Sequence, residues 1–592
     1  MTSHEALELA VAHQQAGRLA DAEAVYRQIL DHDPSHAQAM HLLGTLAHAA
    51  GRLDLAADLM NRSIALQPRV PEFYLNMGVV LLALGRIDEA VTAYRQAVAL
   101  NTNSPEAHFG LGGALVCAKD IPGAEQCFRR ALELRPDYAE AINNLGNIFN
   151  ERRELEFAQN AYKQAIALRP DYADAYNNLG NAYFDDGQFD RAEAAFRGAL
   201  AQNPNHVDAT NNLGRTFFEL GRLDDALACF HQACSLQPDY VDGYINIANV
   251  RYQQCRLDES ITYVRKALEL NPGSASAHWN LGLTLLCRGD FSEGWKEAAW
   301  RSRVKELGGT CREFSQPIWD GGDLQGSTIL LHAEQGFGDT LQFIRYLPMV
   351  QAKGGKIVVD CRPELMNLLQ ASFQVDQWCV TDQPLPHFDL HCPLLSLPMA
   401  FATTLATIPN EFPYLQPDEA TMKVWQSRLK DVKGLKIGLV WAGRPEHRND
   451  RNRSIALSLF APLMQVPGLT LVSLQKFEAK PVDQQLPALT PPPGMELIDW
   501  TSELSNFADT AALISSLDLV IGVDTSVVHL AGALGKPVWV LLPFAPDWRW
   551  MLDRDDSPWY PTMRLFRQRQ RGDWNRSMED IVGALKIMQA SR

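Results

Sequence analysis

The stretch "AYNNLGNAYFDDGQFDRAEAAFRGALAQNP", residues 175–204, decides the architecture of the first half of the chain. Leu179-Gly180 comes early, alanines and a phenylalanine fill the middle, and Pro204 closes the segment. Such a segment reads as two antiparallel helices. The small residue in the first helix lets the second pack closely, and the proline ends the second because it has no N–H with which to continue it. The signature recurs in both directions. Gly44, Gly78, Gly112, Gly146, Gly180, Gly214 and Gly282 keep a 34-residue register, with Ala248 filling the gap and Ala10 preceding the series. Pro34, Pro68, Pro136, Pro170, Pro204, Pro238 and Pro272 keep the same step, with Thr102 as the exception.

A period of 34 residues with these landmarks is the tetratricopeptide pattern. One unit cannot bury its apolar face alone, so stacking into a superhelix with a concave inner surface is obligatory. Nine units are expected over residues 3–308. The last, "GDFSEGWKEAAWRSRV", has lost its proline and reads as a cap or junction.

Asn76, Asn144, Asn178, Asn212, Asn246 and Asn280 each lie two residues before the small residue, on the helix expected to line the concave face. Helix interiors do not favour Asn. Its amide pairs with both groups of a peptide unit, so a column of amides suits an extended polypeptide held by its backbone. The alternative is that these amides bond neighbouring turns and hold repeats together. In its "NNLGN" and "GYINIANV" segments the array resembles the repeat region of O-GlcNAc transferase, whose asparagine ladder grips substrate protein. The resemblance implies a protein acceptor bound along these six residues.

The totals narrow the function. With 592 residues, several domains are expected, and 46% hydrophobic with 21% charged residues is ordinary for a soluble globular protein. A formal charge of −16 argues against nucleic acid as the main partner. No signal peptide and no membrane-spanning run is visible. Ten cysteines without a C-x-x-C pair are expected as free thiols in a reducing cytoplasm.

From Gly326 the period changes. ILLHA, KIVVDC, KIGLVWAG, TLVSLQ, DLVIGV and VWVLL are short apolar runs separated by helical patterns at 339–352, 456–465, 507–516 and 526–534. Strands alternating with helices imply parallel sheets. The fold class is therefore α plus α/β: an α-superhelix, a linker at 309–325, a first lobe with its interlobe linker at 326–418, a second lobe at 419–575, and a helix at 576–592 expected to close back on the first lobe. Two doubly wound lobes make a cleft at the carboxyl ends of their strands.

Three loops carry candidate chemistry. In "HAEQGFGDTLQF" (332–343) two glycines allow close backbone approach, and Asp339 stands at the start of a helix, where it serves either chemistry or capping. In "WAGRPEHRNDRNRSIAL" (441–457) Arg444, Arg448, Arg451 and Arg453 follow a strand end, which suits phosphate or carboxylate recognition; Arg453 is the best single choice. In "LDLVIGVDTSVVHLAGALGKPVWVLL" (517–542) a strand runs into Asp524-Thr525-Ser526 and then a helix whose start favours an anion, with His529 one turn in. Capping by Asp524 or Thr525 and a core role for His529 are the plain alternatives. A later run, residues 543–568, is dense in Trp and Arg; Trp548, Trp550, Trp559 and Tyr560 are expected to plug the seam between lobes rather than wall a pocket.

Together the loops resemble the bacterial heptosyltransferase-like glycosyltransferases of the GT-B fold. The resemblance rests on Gly338-Asp339, on Arg453, and on Asp524-Thr525-Ser526 with His529, where the family's usual glycine is Ser526 and its usual lysine is Arg453. It implies an inverting glycosyltransferase with Asp339 as base, and no metal is expected because no Asp-x-Asp or His cluster with ligand spacing falls at these loops. Gly338, Arg453, Asp524, Thr525, Ser526 and His529 would bind a nucleotide-sugar donor, and no further cofactor is needed. A repeat array before such a half also resembles bacterial flagellin glycosyltransferases, which use nonulosonic acid donors, so a flagellin acceptor is implied. The rival readings are a scaffold with a decayed cleft and a transferase acting on glycan or lipid-linked acceptors.

Overall fold

The computed structural model describes residues 2–304, 312, 314–445, 449–476 and 491–590. The chain forms two compact units, Met1–Pro238 and Asp239–Arg592.

The first unit is seven helix pairs, from Ser3–Gln15 with Leu19–His32 to Val207–Glu219 with Leu223–Leu236. The repeated glycine has a steric cause. A Cβ on Gly146 would lie 2.6 Å from the Tyr162 ring, and one on Gly180 would meet Phe196 in the same way. Tyr162 and Phe196 are buried on the second helix of their pairs, and burial of such a ring contributes about 2–3 kcal/mol. Second helices end two residues before the repeat proline, as Tyr162's helix does at Leu168 before Pro170, because the residue preceding a proline is pushed out of the helical region.

The second unit begins with two more pairs, Val241–Gln253 with Leu257–Leu270 and Ala275–Arg288 with Phe291–Ala298. The sequence places the domain boundary at 309–325; the compact units instead divide after Pro238, and two repeats fold with the α/β half. Phe291, Trp295 and Ala298 of the last pair share one core with Leu341, Phe343, Trp548 and Trp559.

Two parallel sheets follow. The first holds β1 (Thr328–His332), β2 (Lys356–Cys361), β3 (Gln377–Val380) and β4 (Leu390–Pro393) in the order β3-β2-β1-β4. The second holds β5 (Leu435–Val440), β6 (Leu469–Ser473), β7 (Leu497–Ile498), β8 (Leu519–Val523), β9 (Val538–Leu542) and β10 (Met563–Arg567) in the order β10-β9-β8-β5-β6-β7. Numbered within its own lobe, that is 3-2-1-4-5-6 read backwards, the doubly wound order whose ligand crevice opens where the winding reverses. In this sheet the reversal falls between β5 and β8, which are in register from Ile437 opposite Leu519 to Val440 opposite Gly522. β8 and β9 are buried along their whole length.

Two expectations are corrected. The terminal helix, Asn575–Ala590, packs on the second lobe and not the first: Met578, Ile581 and Leu585 form one stripe against Phe460, Leu463 and Phe566. The segment 456–465 is a 3-10 helix over Leu457–Gln465, with Pro462 inside it removing a donor that an α-helix would need. Among the described residues no helix is long and apolar enough to cross a membrane.

Candidate functional site

The loop after β1 is pinned from two sides. The Glu334 carboxylate, buried, takes Nε and Nη2 of the buried Arg301 at 3.0 and 2.8 Å. Arg362 Nη2 donates to the Gln335 carbonyl at 2.6 Å, and Gln335 itself sits in the left-handed region at φ 50°. Helix Phe337–Phe343 starts immediately after. Its third residue, Asp339, uses Oδ2 to accept the Gly336 N–H at 2.9 Å, so the capping role is real. Its other oxygen, Oδ1, is ion-paired with Arg549 Nη2 of the second lobe.

Arg549 is the pivot of this seam. Its Nε donates to Gln342 Oε1 at 2.6 Å and its Nη1 to Asp547 Oδ1 at 2.9 Å. Burial opposes its charge, but Asp547 and then Asp339 outweigh burial and hold the guanidinium charged above the ordinary arginine range. Gly338 has a close neighbour from the other lobe as well: a Cβ there would lie 3.0 Å from His529 Cδ2 and 3.6 Å from Ser526 Cα. The glycine therefore lets the two helix starts meet.

At the carboxyl ends of β5 and β8, Arg453 Nη1 donates to the Asp524 carbonyl at 2.9 Å, and its Nε reaches Asp450 Oδ1 at 3.3 Å. Gly443 makes room for this, since a Cβ would lie 2.6 Å from Asp450 Oδ1. Gln475 Oε1 accepts the N–H groups of Trp441 and Ala442 at 3.0 and 2.8 Å and fixes the end of β5. Of the other arginines in that loop, Arg444 lies 4.9 Å above the Phe337 ring, Arg451 is exposed, and Arg448 lies outside the described residues.

Asp524, at the end of β8, faces His529 Nε2 at 3.6 Å. Burial alone would raise its carboxyl; the hydrogen bond and charge of His529, and then Arg453, override burial and hold it well below the usual carboxylate range. His529 Nδ1 bonds the Tyr560 hydroxyl at 2.9 Å, and its ring stacks on Trp550 at 5.3 Å. Thr525 is the N-cap of helix Ser526–Ala533 but makes no capping bond with its side chain. Its Oγ1 is buried and unpartnered. Such a hydroxyl is costly to bury, and here it stands at a helix start, one residue after the carbonyl that takes Arg453.

Gly338, Asp339, Arg453, Asp524, Thr525, Ser526 and His529 therefore gather about one seam in the second unit. The aromatic run lines the same seam: Trp548, Trp550, Trp559 and Tyr560 are buried, with Trp548 edge-on to Trp295 at 5.3 Å and Trp559 edge-on to Phe343 at 5.8 Å. Sequence reasoning missed Arg549, Arg301 and Glu334. Arg549 carried one signal, a charge set between two tryptophans.

The asparagine column behaves differently. Asn76 Nδ2 lies 2.9 Å from His41 Nε2 of the preceding repeat. Asn178 Nδ2 donates to Asn143 and Asn147 at 3.1 and 3.2 Å, and Asn212 Nδ2 to Asn177 at 3.2 Å. In the second unit Asn280 Nδ2 donates to Asn249 at 2.9 Å. Four of the six expected peptide-binding amides thus bond the repeat before them; Asn144 and Asn246 occupy the equivalent place on their helices.

Comparison with known proteins agrees with both halves. Tetratricopeptide-repeat profiles match residues 7–71, 75–139, 146–187, 177–241 and 241–274. The profile of glycosyltransferase family 9 (heptosyltransferase) matches residues 504–543, the segment carrying Asp524 to His529. Protein FlbA of Caulobacter vibrioides is 27% identical over 340 residues, 52% of this chain and 54% of that protein. The chain thus spans about half the length of this curated relative. Among solved structures, the Cut9-Hcn1 hetero-tetramer of APC/C is 20% identical, covering 47% of this chain and 55% of that one with a TM-score of 0.38. YrrB, described as a TPR protein with an unusual peptide-binding site, is 22% identical over 32% of this chain and 96% of its own, with a TM-score of 0.27.

Proposed function

We propose that the protein is a metal-independent glycosyltransferase of the two-lobed GT-B kind, moving a sugar from a nucleotide-sugar donor to a Ser or Thr hydroxyl of a protein acceptor recruited by the repeats. One observation supports this reading most: Asp339 of the first lobe stands across the seam from a strand end where Arg453 donates to the Asp524 carbonyl and Thr525, its buried hydroxyl without a partner, opens helix Ser526–Ala533, an arrangement suited to an anion. The match of residues 504–543 to glycosyltransferase family 9 supports it.

In this reading the acceptor oxygen attacks the anomeric carbon. Asp339 takes the hydroxyl proton, the new O–C bond forms, and the bond from carbon to phosphate oxygen breaks with its electron pair leaving on the phosphate. Attack opposite the leaving group inverts the anomeric centre. Arg453 and the helix start stabilise the charge developing on that phosphate. The Asp524–His529 pair, fixed by Tyr560, orients the donor. A surface-destined acceptor such as flagellin, with a nonulosonic acid donor, is the specific form the sequence resemblance favours.

The test is the intact mass of surface-destined cellular proteins with this chain present, deleted, or carrying Asp339→Ala. A mass loss shared by deletion and variant is the expected result. Loss in the deletion alone removes Asp339 as the base. No change in any protein overturns the protein-transferase reading in favour of a glycan acceptor or a scaffold.

A further inference from the structure

An ion-paired carboxylate is a poor general base, because its counter-ion stabilises the form that has lost the proton. Asp339 is in that condition, its Oδ1 held by Arg549. The pair is well shielded, with side-chain exposures of 15% and 12%. Asp524, the first residue of the donor loop, also acts electrostatically on Arg549. The guanidinium that holds the base is therefore also within electrostatic range of the donor loop.

The backbone that carries it is fixed. Arg567 Nη1 donates to the Met551 carbonyl at 2.9 Å, Nη2 to the Trp550 carbonyl at 2.5 Å, and Nε to the Arg554 carbonyl at 2.7 Å. Met551 is locked at φ 52°, a region that non-glycine residues rarely adopt. The main chain beside Arg549 is thus anchored, and its side chain is the part with freedom to move. Asp547, two residues away on the same segment, is ion-paired with it at 2.9 Å.

We propose that Arg549 is a donor-operated latch on the general base: it holds Asp339 while the site is empty, and passes to the anionic leaving group of the donor when that group arrives. The inference rests on the transferase reading above. The exchange is non-covalent. One guanidinium N–H contact leaves the Asp339 carboxylate and forms on a phosphate oxygen, and the freed carboxylate then accepts the acceptor's proton. The base is therefore available only when a donor is bound, so donor precedes acceptor chemistry. Arg549 also becomes a second cation on the leaving group beside Arg453.

Competition for one guanidinium makes a prediction that a purely structural salt bridge does not. Removing the Asp339 charge frees Arg549 and tightens anion binding. The experiment titrates the full-length protein with UDP, GDP, ADP, CDP and CMP, following tryptophan fluorescence, since Trp548 and Trp550 flank Arg549. Asp339→Asn is expected to bind the preferred nucleotide about tenfold more tightly than the unaltered protein, and Arg549→Gln about tenfold more weakly. Arg549→Lys, which keeps charge but cannot fork, falls between them. In the double variant Asp339→Asn/Arg549→Gln the gain disappears. Far-UV circular dichroism and melting confirm that each variant is folded, and Asp339→Ala, which also removes the charge, replaces the amide if Asp339→Asn fails to fold. Unchanged or weaker binding in the folded charge-free variant overturns the latch alone. Absence of nucleotide binding by the unaltered protein overturns the transferase reading and the latch with it.

Discussion

Acidification from pH 7 to pH 5 is expected to weaken the second unit by about 2 kcal/mol through a single side chain, His332. The residue ends β1 and is only 2% exposed. Burial pushes its imidazole down to about 3 from 6.5, and the neighbouring positive or protonatable groups, His391, Arg312 and Arg301, push the same way. His391 Nδ1 lies 3.2 Å from His332 Nε2, and the Phe314 ring is set edge-on to both histidines. In the folded protein the ring stays neutral down to about pH 3, whereas in the unfolded chain it protonates near 6.5. The unfolded state therefore binds more protons below 6.5. Stability from this group is complete above 6.5 and is lost as pH falls, at about 1.4 kcal/mol per pH unit, until the folded ring itself titrates.

The assay is urea unfolding followed by tryptophan fluorescence at pH 7, 6 and 5, with free energies from linear extrapolation. All 13 tryptophans lie at Trp279 or beyond, so the signal reports only the unit Asp239–Arg592. His332→Gln keeps a polar atom near His391 and cannot titrate. Its loss between pH 7 and pH 5 is expected to be smaller than that of the unaltered protein by about 2 kcal/mol. Parallel pH dependences in the two proteins would refute the argument, whatever their absolute stabilities.

Two further outcomes are expected. Glu334→Gln leaves Arg301 buried without its carboxylate, and the tryptophan-monitored transition should lose about 3–5 kcal/mol, most of it recovered in Arg301→Met/Glu334→Leu; equal losses in single and double variants would contradict the account. Thr525→Val removes a buried hydroxyl that has no partner, so melting should be unchanged or slightly raised while nucleotide affinity falls roughly tenfold; unaltered affinity would take Thr525 out of the anion site.

The repeats are legible in the sequence because their cause is local and repeated: five of the seven repeat glycines meet a ring sixteen positions on, as Gly146 meets Tyr162, while Gly44 meets Met60 and Gly282 the backbone of Ala298. The strands divide by environment. β1, β2, β5, β6, β8 and β9 read as apolar runs because most of their length is covered by other elements. β4 escapes notice because it is four residues containing His391 and Pro393, and β10 because Arg564 and Arg567 break its apolar run. The terminal helix shows what an amphipathic stripe tells: that a partner exists, but not which lobe supplies it. Asp339 and Asp524 could be picked from their loops, since strand–loop–helix junctions are where sheets present chemistry. Arg549 could not, because its partner Asp339 lies 210 residues away and only the packing of two lobes brings them together.

The asparagine column joins the two alternatives that the sequence left open, because an amide nitrogen carries two hydrogens. Asn178 spends its nitrogen on two acceptors, Asn143 and Asn147, and at that level the amide serves repeat cohesion. Asn212 and Asn280 make one such bond each among the described residues, and an amide nitrogen carries a second N–H besides. A bond to the preceding repeat also fixes the amide plane, so that the remaining N–H points in a set direction without further loss of side-chain entropy when it meets a carbonyl. Cohesion between repeats is thus compatible with backbone recognition at Asn212 and Asn280, whereas at Asn178 the two uses would compete.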